Sequence, residues 1–208
     1  MLPAQIPIFP LPNAVLFPGV FLPLHIFEPR YREMVADAAA GDRIIGMTLL
    51  KRGYETDYEG RPPVYSVGCA GVMTHVERLP DGRFNIVLRG LGKFRIVDED
   101  DSRAYRVATV ESLPERLSDK DQPLLKRERE RLETLLLTLL ESTELPLPST
   151  MADEDVVHAL AQYLSLEPVE RQALLECEGT LERSRALAEL LEMKVLVQAS
   201  QRGFSSRH

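Results

Sequence analysis

Cys69 and His75 are the residues whose types could supply a nucleophile and a general base. They lie six residues apart in a segment, residues 64–97, whose alternation of apolar and polar side chains predicts extended strands. Six extended residues span about 20 Å, whereas a base must be within hydrogen-bond reach of the thiol that it activates. We therefore interpret Cys69 as a packing residue, and we expect no catalytic residue in this chain.

The sequence also lacks the motifs that bind phosphate groups or metal ions. The Gly92-Lys93 pair is followed by Phe94 in a predicted strand, so it does not offer the free backbone N–H groups of a phosphate-binding loop. His25 lies in an apolar run, where we expect a core or half-buried histidine with a hydrogen bond. The histidines are scattered without the spacing of a zinc site: His25, His75, His158 and His208. We expect no metal and no cofactor.

A row of basic residues offers RNA binding as a different chemistry. The positions of Arg83, Arg89, Lys93 and Arg95 differ by even numbers, so these residues share one face of a regular strand. No aromatic residues alternate with them on that face to stack on bases, and the formal net charge of −7 opposes binding of a polyanion. Nucleic acid is therefore not the expected partner, and RNA binding remains the alternative function.

The bulk composition is typical of a folded globular chain. Hydrophobic residues make up 44% and charged residues 27% of the 208 residues, and both values are ordinary. The length suits one large domain or two small ones. The formal net charge is −1 for residues 1–113 and −6 for residues 114–208. We interpret the excess in the second segment as a solvated face of helices.

The cysteines and the apolar N-terminal stretch bear on the compartment. Cys69 and Cys177 lie among apolar residues far apart in the sequence, which predicts buried, reduced thiols rather than a disulfide framework. Six prolines interrupt residues 1–27, and no basic region precedes them, so this stretch resembles neither a signal peptide nor a membrane helix. We expect a cytoplasmic protein with no membrane partner.

The first half of the chain predicts β structure with one helix. Residues 7–12 alternate proline with apolar residues, which is typical of an edge strand. Pro29 suits the first position of a helix that Gly41 ends. Residues 79–83 form a turn in which Asp81 can bond its own backbone and Gly82 tolerates a positive φ, and glycines 90 and 92 indicate a bulge. The predicted strands are residues 7–12, 14–17, 21–26, 43–50, two within 64–97, and 103–112.

The second half predicts amphipathic helices at residues 121–142, 151–164, 165–175 and 181–199, with a proline-rich link at 145–148 and a flexible tail from about residue 200. Six or seven short strands that close on one another favour a small barrel. The predicted fold class is therefore α+β. It comprises a small β-barrel with one inserted helix, residues 1–113, followed by a C-terminal helical bundle, residues 114–208.

Several motifs resemble the N-terminal, substrate-binding domain of Lon proteases, in its free-standing bacterial version. The opening blocks are IPIFPL at residues 6–11, VLFPG at 15–19 and LPLHIFEPRY at 22–31. The central hairpin has GCAG at 68–71, LPDG at 79–82 and LRGL at 88–91. The helical half has SLEP at 165–168, LLE at 174–176, LER at 181–183 and LLE at 190–192. The resemblance covers nearly the whole chain.

The resemblance implies a PUA-like barrel followed by helices, and a non-catalytic module that binds proteins. Unfolded or partner polypeptides are the expected partners, with a role as an adaptor in proteolysis or protein quality control and a separate protease as a further partner. The ATPase and Ser-Lys peptidase domains of Lon are expected to be missing. The client and the oligomeric state stay open.

Exposed apolar surface is the physical requirement of such a binder. The candidate contacts are Phe17, Phe21, Phe27, Glu28, Arg30 and Tyr31. Each has a structural alternative: core or helix packing for the aromatic rings, and helix capping or surface pairing for the two charged residues.

Overall fold

The computed structural model describes residues 2–58, 60–100, 102–141, 148 and 150–205, without the side chains of residues 57 and 201–205. This part of the chain holds six strands and five α-helices, which confirms the α+β class. The elements in chain order are β1 (Gln5–Leu11), β2 (Phe21–Ile26), α1 (Pro29–Ala40), β3 (Ile44–Leu49), β4 (Val67–Arg78), β5 (Phe84–Asp100), β6 (Arg106–Leu113), α2 (Gln122–Leu140), α3 (Asp153–Tyr163), α4 (Pro168–Glu176) and α5 (Thr180–Ser205).

The six strands form one sheet in the order β2-β5-β4-β3-β1-β6. β1 and β3 pair in parallel, and the other neighbours pair antiparallel. β6 also pairs with β5, from Lys93↔Leu113 to Asp100↔Val107. The pairings therefore run from β5 through β4, β3, β1 and β6 back to β5, whereas β2 has β5 as its one neighbour among the described strands.

β1 is an interior strand, so the prediction of an edge strand at residues 7–12 was wrong. Residues 5–8 pair with β6, and residues 8–11 pair with β3. Ile8 is the position that both registers share, so each proline of this strand has a ladder partner on one side only. A proline can occupy such a strand because one of its two sides requires no N–H donor.

The predicted turn at residues 79–83 is confirmed in its chemistry. The N–H of Leu79 donates to the carbonyl of Arg83 at 2.8 Å, and the N–H of Arg83 donates to Asp81 Oδ1 at 3.1 Å. Gly82 has a φ of 81°, a conformation that a side chain would strain. This turn sets the register between β4 and the first half of β5.

The predicted bulge lies at Leu91. Gly71 pairs with Gly90 and Ala70 pairs with Gly92, so Leu91 is the extra residue on β5. The bulge has a consequence for the strand faces, because one inserted residue moves every later side chain to the opposite face. β5 is thus one strand in sequence, but its two halves present opposite faces of the sheet.

The chain divides into two compact units. Unit 1 comprises Met1–Pro114 with Gln162–Glu176, and unit 2 comprises Glu115–Ala161 with Cys177–His208. The core of unit 1 includes a cluster of Ile6, Ile8, Ala70, Phe94 and Ala108, which strands β1, β4, β5 and β6 supply. α4 belongs to this unit, and Gln172 on it donates a hydrogen bond to the carbonyl of Val67 in β4 at 3.0 Å.

Unit 2 is built from α2, α5 and α3 up to Ala161. Its interior contains a polar cluster around Arg183, which is completely buried. Arg183 donates through both Nη atoms to the carboxylate of Glu115, and Nη1 also donates to His158 Nε2 at 2.7 Å. A buried guanidinium needs partners of this kind because an unpaired charge is costly away from water.

The two thiols differ in burial, and the described helices are too short or too polar to cross a membrane. Cys69 is buried, but Cys177 is half-buried, so the prediction that both thiols are buried was wrong for the second. Among the described residues, no helix is both long enough and apolar enough to span a bilayer. The link at residues 145–148 and His208 lie outside the described residues, except Pro148.

Candidate functional site

Strand β2 carries an exposed row of side chains. Phe21, Pro23 and His25 alternate with the more enclosed Leu22 and Leu24, as expected for a strand with one face toward solvent. Phe21 is 49% exposed, and Phe27, just after the strand, is 60% exposed. Large apolar side chains with this much contact to water are candidates for recognition when they cluster.

The outer edge of β2 is partly closed. The carbonyl of Val20 accepts a hydrogen bond from Gly90 of β5. Because N–H and C=O groups alternate in direction along a strand, the backbone of Phe21, Pro23 and His25 is directed away from β5. Pro23 has no N–H to present there, and the carbonyl of Phe21 accepts a hydrogen bond from the Tyr163 hydroxyl at 2.9 Å. Proline at an edge strand hinders the addition of another strand.

Tyr163, at the end of α3, is 64% exposed. Its hydroxyl is held by β2 although 142 residues separate it from Phe21, so its ring adds to the exposed aromatic area beside that strand. The name β2 surface is used below for Phe21, Pro23, His25, Phe27 and Tyr163. Sequence reasoning missed Tyr163, because a residue at a helix end gives no signal of the distant strand that it meets.

A polar row borders the β2 surface. His25 Nδ1 lies 2.8 Å from Asn85 Oδ1, and Asn85 donates to Glu77 Oε2 at 2.8 Å. His25 is exposed rather than core or half-buried, which corrects its sequence interpretation, although its expected hydrogen bond is present. Its ring also stacks with Phe27 at 6.4 Å between centroids. The row therefore holds His25 in place next to the exposed ring.

Glu28, Arg30 and Tyr58 form a cluster at the start of α1. Arg30 Nε donates to Glu28 Oε2 at 3.1 Å, and the hydroxyl of Tyr58 donates to Glu28 Oε1 at 2.9 Å. The guanidinium of Arg30 lies 4.7 Å from the ring centroid of Tyr31 and 5.4 Å from that of Tyr58, close enough for cation–π attraction. Glu28 therefore pairs with neighbouring side chains instead of capping the helix.

The same cluster borders a pocket of about 280 Å³ in unit 1. This pocket is called the arginine pocket below, and loop, helix and strand residues line it. Its ionisable lining residues are Arg30, Arg61, Arg103, Arg106, Tyr31, Tyr58 and Tyr105. Glu99 accepts two hydrogen bonds of 2.7 Å from Arg106. Asp37 accepts hydrogen bonds from both Arg103 and Tyr105. Carboxylates behind the lining thus hold the guanidinium groups in place.

The phenols of the arginine pocket stay protonated at neutral pH. Burial raises the pKa of Tyr31 to about 12. Burial, together with the hydrogen bond to Asp37, raises the pKa of Tyr105 to about 12. Burial and the hydrogen bond to Glu28 also raise the pKa of Tyr58. Each hydroxyl is therefore a hydrogen-bond donor under ordinary conditions.

The predicted site residues fall into three groups. Phe21 and Phe27 are exposed on the β2 surface. Glu28, Arg30 and Tyr31 meet at the arginine pocket, where Tyr31 is buried. Phe17 is completely buried, so its ring has no surface to offer a bound chain, and the prediction that it contacts a client needs correction. The segment 14–17 is not a strand either: the N–H of Phe17 donates to the side chain of Gln162 at 3.2 Å.

The expectation of one basic face was also wrong. Arg89 pairs with Val72, whereas Lys93 and Arg95 pair with Cys69 and Val67, on the opposite face of β4. The bulge at Leu91 causes this reversal, and it separates Arg89 from the two later residues. Lys93 is buried, and Arg83 forms an ion pair with Asp81 at 2.6 Å. These four residues do not make one basic patch.

The described residues contain no cluster of three or more His, Cys, Asp or Glu side chains placed to hold a metal ion. Exposed aromatic rings on an edge strand are a feature of surfaces that bind other molecules. The family model of the ATP-dependent protease La (LON) substrate-binding domain matches residues 5–193, and the chain belongs to this family.

The sequences of relatives agree with this membership. The chain is 27% identical over 204 residues to Lon protease of Flavobacterium johnsoniae, covering 95% of this chain and 25% of that protein. It is 27% identical over 206 residues to Lon protease 2 of Myxococcus xanthus, covering 93% of this chain and 24% of that protein. The chain thus spans about a quarter of the length of these relatives.

Two solved structures share the fold. The N-terminal domain of Mycobacterium avium complex Lon protease superimposes with a TM-score of 0.68 at 21% identity, covering 90% of this chain and 98% of that one. The Lon N-terminal domain protein from Xanthomonas campestris has a TM-score of 0.58 at 24% identity, covering 90% and 97%.

Proposed function

We propose that this protein is a non-catalytic module that binds unfolded or partner polypeptides through the β2 surface. Membership of the Lon substrate-binding family supports the proposal. The observation that carries it is the exposed row along β2, which has Phe21 with Tyr163 at one end and Phe27 with His25 at the other. Rigid aromatic rings supply large contact areas at a low cost in conformational entropy.

Recognition by side chains fits this surface better than addition of a strand. A bound strand would need free donors and acceptors along the edge of β2. Pro23 removes the donor in the middle of that edge, and Tyr163 occupies the carbonyl of Phe21. A client would therefore place apolar side chains against the aromatic rings and leave most of its own backbone in water.

The finer architecture is part of the proposal. The return of the strand pairing from β6 to β5 supports a closed, PUA-like barrel. We keep a barrel subdomain at residues 1–113 and a helical bundle at residues 114–208 as the proposed domain division. A cytoplasmic adaptor that delivers clients to a separate protease is the proposed role.

The test is binding of a fluorescently labelled, permanently unfolded polypeptide, measured by anisotropy. We expect an affinity in the roughly micromolar range, because a few apolar anchors must offset the ordering of a flexible chain. Phe27→Ser should weaken binding several-fold. The matched control is Leu196→Ser, which alters a similarly exposed apolar residue of unit 2 and should leave the affinity unchanged.

Salt dependence separates polypeptide binding from RNA binding. Apolar contacts change little between about 50 and 200 mM salt, whereas phosphate contacts weaken steeply because binding releases counterions. The proposal fails if the protein ignores unfolded chains but binds single-stranded RNA with a steep salt slope that Arg89→Ala reduces.

A further inference from the structure

The hydroxyl group of Tyr31 is a hydrogen-bond donor to which the described residues offer no acceptor. Tyr31 is 5% exposed, and its hydroxyl has no hydrogen-bond partner within the described residues. The polar side-chain atoms in that part of the chain that are fully enclosed without a partner are Thr48 Oγ1 and Arg171 Nε. Tyr31 Oη is not among them, so it is reached from the arginine pocket that the residue lines.

An unmet donor of this kind is informative. Water in the pocket can hydrogen-bond this accessible hydroxyl when no ligand is present, and an acceptor atom of a ligand can replace that water. The packing of the Tyr31 ring does not require the hydroxyl, because the ring itself contacts Phe9, with 4.4 Å between the two ring centroids. The hydroxyl can therefore donate to an acceptor that enters the pocket from outside the protein.

Arg103 brings a second set of donors to the same pocket. It uses Nη1 for both of its side-chain hydrogen bonds, to Asp37 Oδ2 and to the hydroxyl of Tyr105. Its Nε and Nη2 make no hydrogen bond to the described residues. These two nitrogens form the planar edge of the guanidinium that binds an oxyanion through two parallel hydrogen bonds.

The rest of the lining limits the size and charge of a ligand. Pro10, Leu50 and Pro62 add apolar walls to the tyrosine rings. A volume of about 280 Å³ is just below the usual range for drug-sized ligands. Arg30, Arg103 and Arg106 are already paired with carboxylates, which suits a singly charged group better than a dianion.

We propose that the arginine pocket binds a carboxylate group that carries a small apolar or aromatic body. The carboxylate accepts hydrogen bonds from Tyr31 and Arg103, and the body lies against the proline, leucine and tyrosine walls. The carboxylate belongs to a free organic acid or to the C-terminal end of a polypeptide. This site goes beyond the polypeptide binding proposed for the β2 surface, because it reads a charged end group and not exposed apolar side chains.

Calorimetric titration of the full chain with four ligands tests the proposal and separates the two sources. The ligands are phenylacetate, its neutral analogue phenylacetamide, an acetylated tripeptide ending in a leucine with a free carboxylate, and the same tripeptide as an amide. Both acids should bind, and each neutral partner should bind at least about tenfold more weakly, as loss of a charged hydrogen-bond pair predicts. Tighter binding of the tripeptide acid assigns a chain end, and tighter binding of phenylacetate assigns a free acid.

Variants connect the binding to the pocket. Tyr31→Phe removes one oxygen and no internal hydrogen bond, so it should weaken acid binding about tenfold without lowering the melting temperature. Arg103→Lys keeps the positive charge beside Asp37 but loses the planar edge, so it should also weaken binding. Tyr65→Phe makes the same atomic change outside the lining and is the matched control.

Three results would overturn the proposal. The first is the absence of heat from either acid at concentrations up to about 10 mM, in the range where weak sites are still measurable. The second is equal binding of acids and amides, and the third is unchanged acid binding in both Tyr31→Phe and Arg103→Lys. The phenylacetate titration does not depend on the β2 surface, so failure of polypeptide binding there leaves this test intact.

Discussion

Two phenylalanines from the same apolar N-terminal stretch have opposite positions. Phe17 is enclosed completely, whereas Phe27 is 60% exposed. Both residues are phenylalanines with apolar neighbours in the sequence. Only their burial in the folded protein distinguishes them. The difference places Phe17 in the core and leaves Phe27 as the proposed binding residue.

Substitution by serine should separate these two roles. Phe17→Ser leaves a cavity and buries a hydroxyl, so it should lower the free energy of unfolding by at least about 3 kcal/mol. Phe27→Ser should change it by no more than about 0.5 kcal/mol, as usual for exposed positions. Chemical denaturation of both variants measures the two values, and equal losses of stability would contradict the assignment.

Gly90 and Gly92 flank the bulge residue but have different surroundings. A Cβ added at Gly90 would lie 2.0 Å from the carbonyl oxygen of Phe17, whereas a Cβ added at Gly92 would meet nothing within 4 Å. The glycine at position 90 is thus required for the close approach of residues 17–19 to β5, where the N–H of Gly19 donates to the Gly90 carbonyl.

Alanine at these two positions is a matched comparison. Gly90→Ala forces backbone apart and should cost about 1–3 kcal/mol or more of stability, as overpacking of a close contact does. Gly92→Ala, with free space around it, should be nearly neutral. Thermal unfolding of both variants gives the comparison, and a neutral Gly90→Ala would show that residues 17–19 can move away from β5 at little cost.

At the scale of elements, β2 is an edge strand protected by its own sequence. Its outward backbone groups belong to Phe21, Pro23 and His25, and Pro23 has no donor. Edge strands with a complete row of donors and acceptors invite pairing with a second copy of the chain. The exposed aromatic rings of β2 would increase that tendency, so we expect the proline in the middle of the strand to oppose such pairing.

Pro23→Val should therefore promote self-association. Valine restores the missing N–H and favours the extended conformation, which makes the edge of β2 a better template for another strand. Light scattering after size-exclusion chromatography should detect concentration-dependent oligomers of this variant. Pro63→Val, at an exposed proline outside the strands, is the control and should elute as the unmodified protein does.

At the scale of the whole molecule, unit 1 is discontinuous in sequence. Residues 162–176, which follow most of α3 and contain α4, belong with residues 1–114. Leu174 and Leu175 of α4 are buried, and Gln172 bonds the carbonyl of Val67. The proposed division near residue 113 places this helix in the C-terminal subdomain, so truncation there removes a helix that belongs to unit 1.

Removal of residues 121–208 should leave a protein that aggregates. Loss of α4 exposes the apolar positions that it covers within unit 1 and the backbone acceptor of Val67. A variant in which a glycine-serine linker joins residues 1–114 to residues 162–176 should be more soluble and should unfold more cooperatively. Solubility and calorimetric unfolding compare the two, and a soluble, cooperative truncation would refute the role of α4.

Much of the local structure was determined by the sequence alone. The turn at residues 79–83 and the helix beginning at Pro29 were predicted and are confirmed. These features depend on interactions between near neighbours: proline and glycine restrict or free single φ angles, and the period of apolar residues selects a strand face. The family motifs were readable for the same reason, because they are contiguous blocks.

The tertiary structure alone decided which surface is available and which residues meet. The sequence pattern could not place Phe17 inside and Phe27 outside, and it could not bring Tyr163 to Phe21 or Arg103 to Tyr31. Burial depends on which distant segments cover a residue, and one inserted residue at Leu91 reverses the faces of everything after it on β5. Such outcomes are set by the closure of the whole chain, in which contacts across long sequence separations are chosen together.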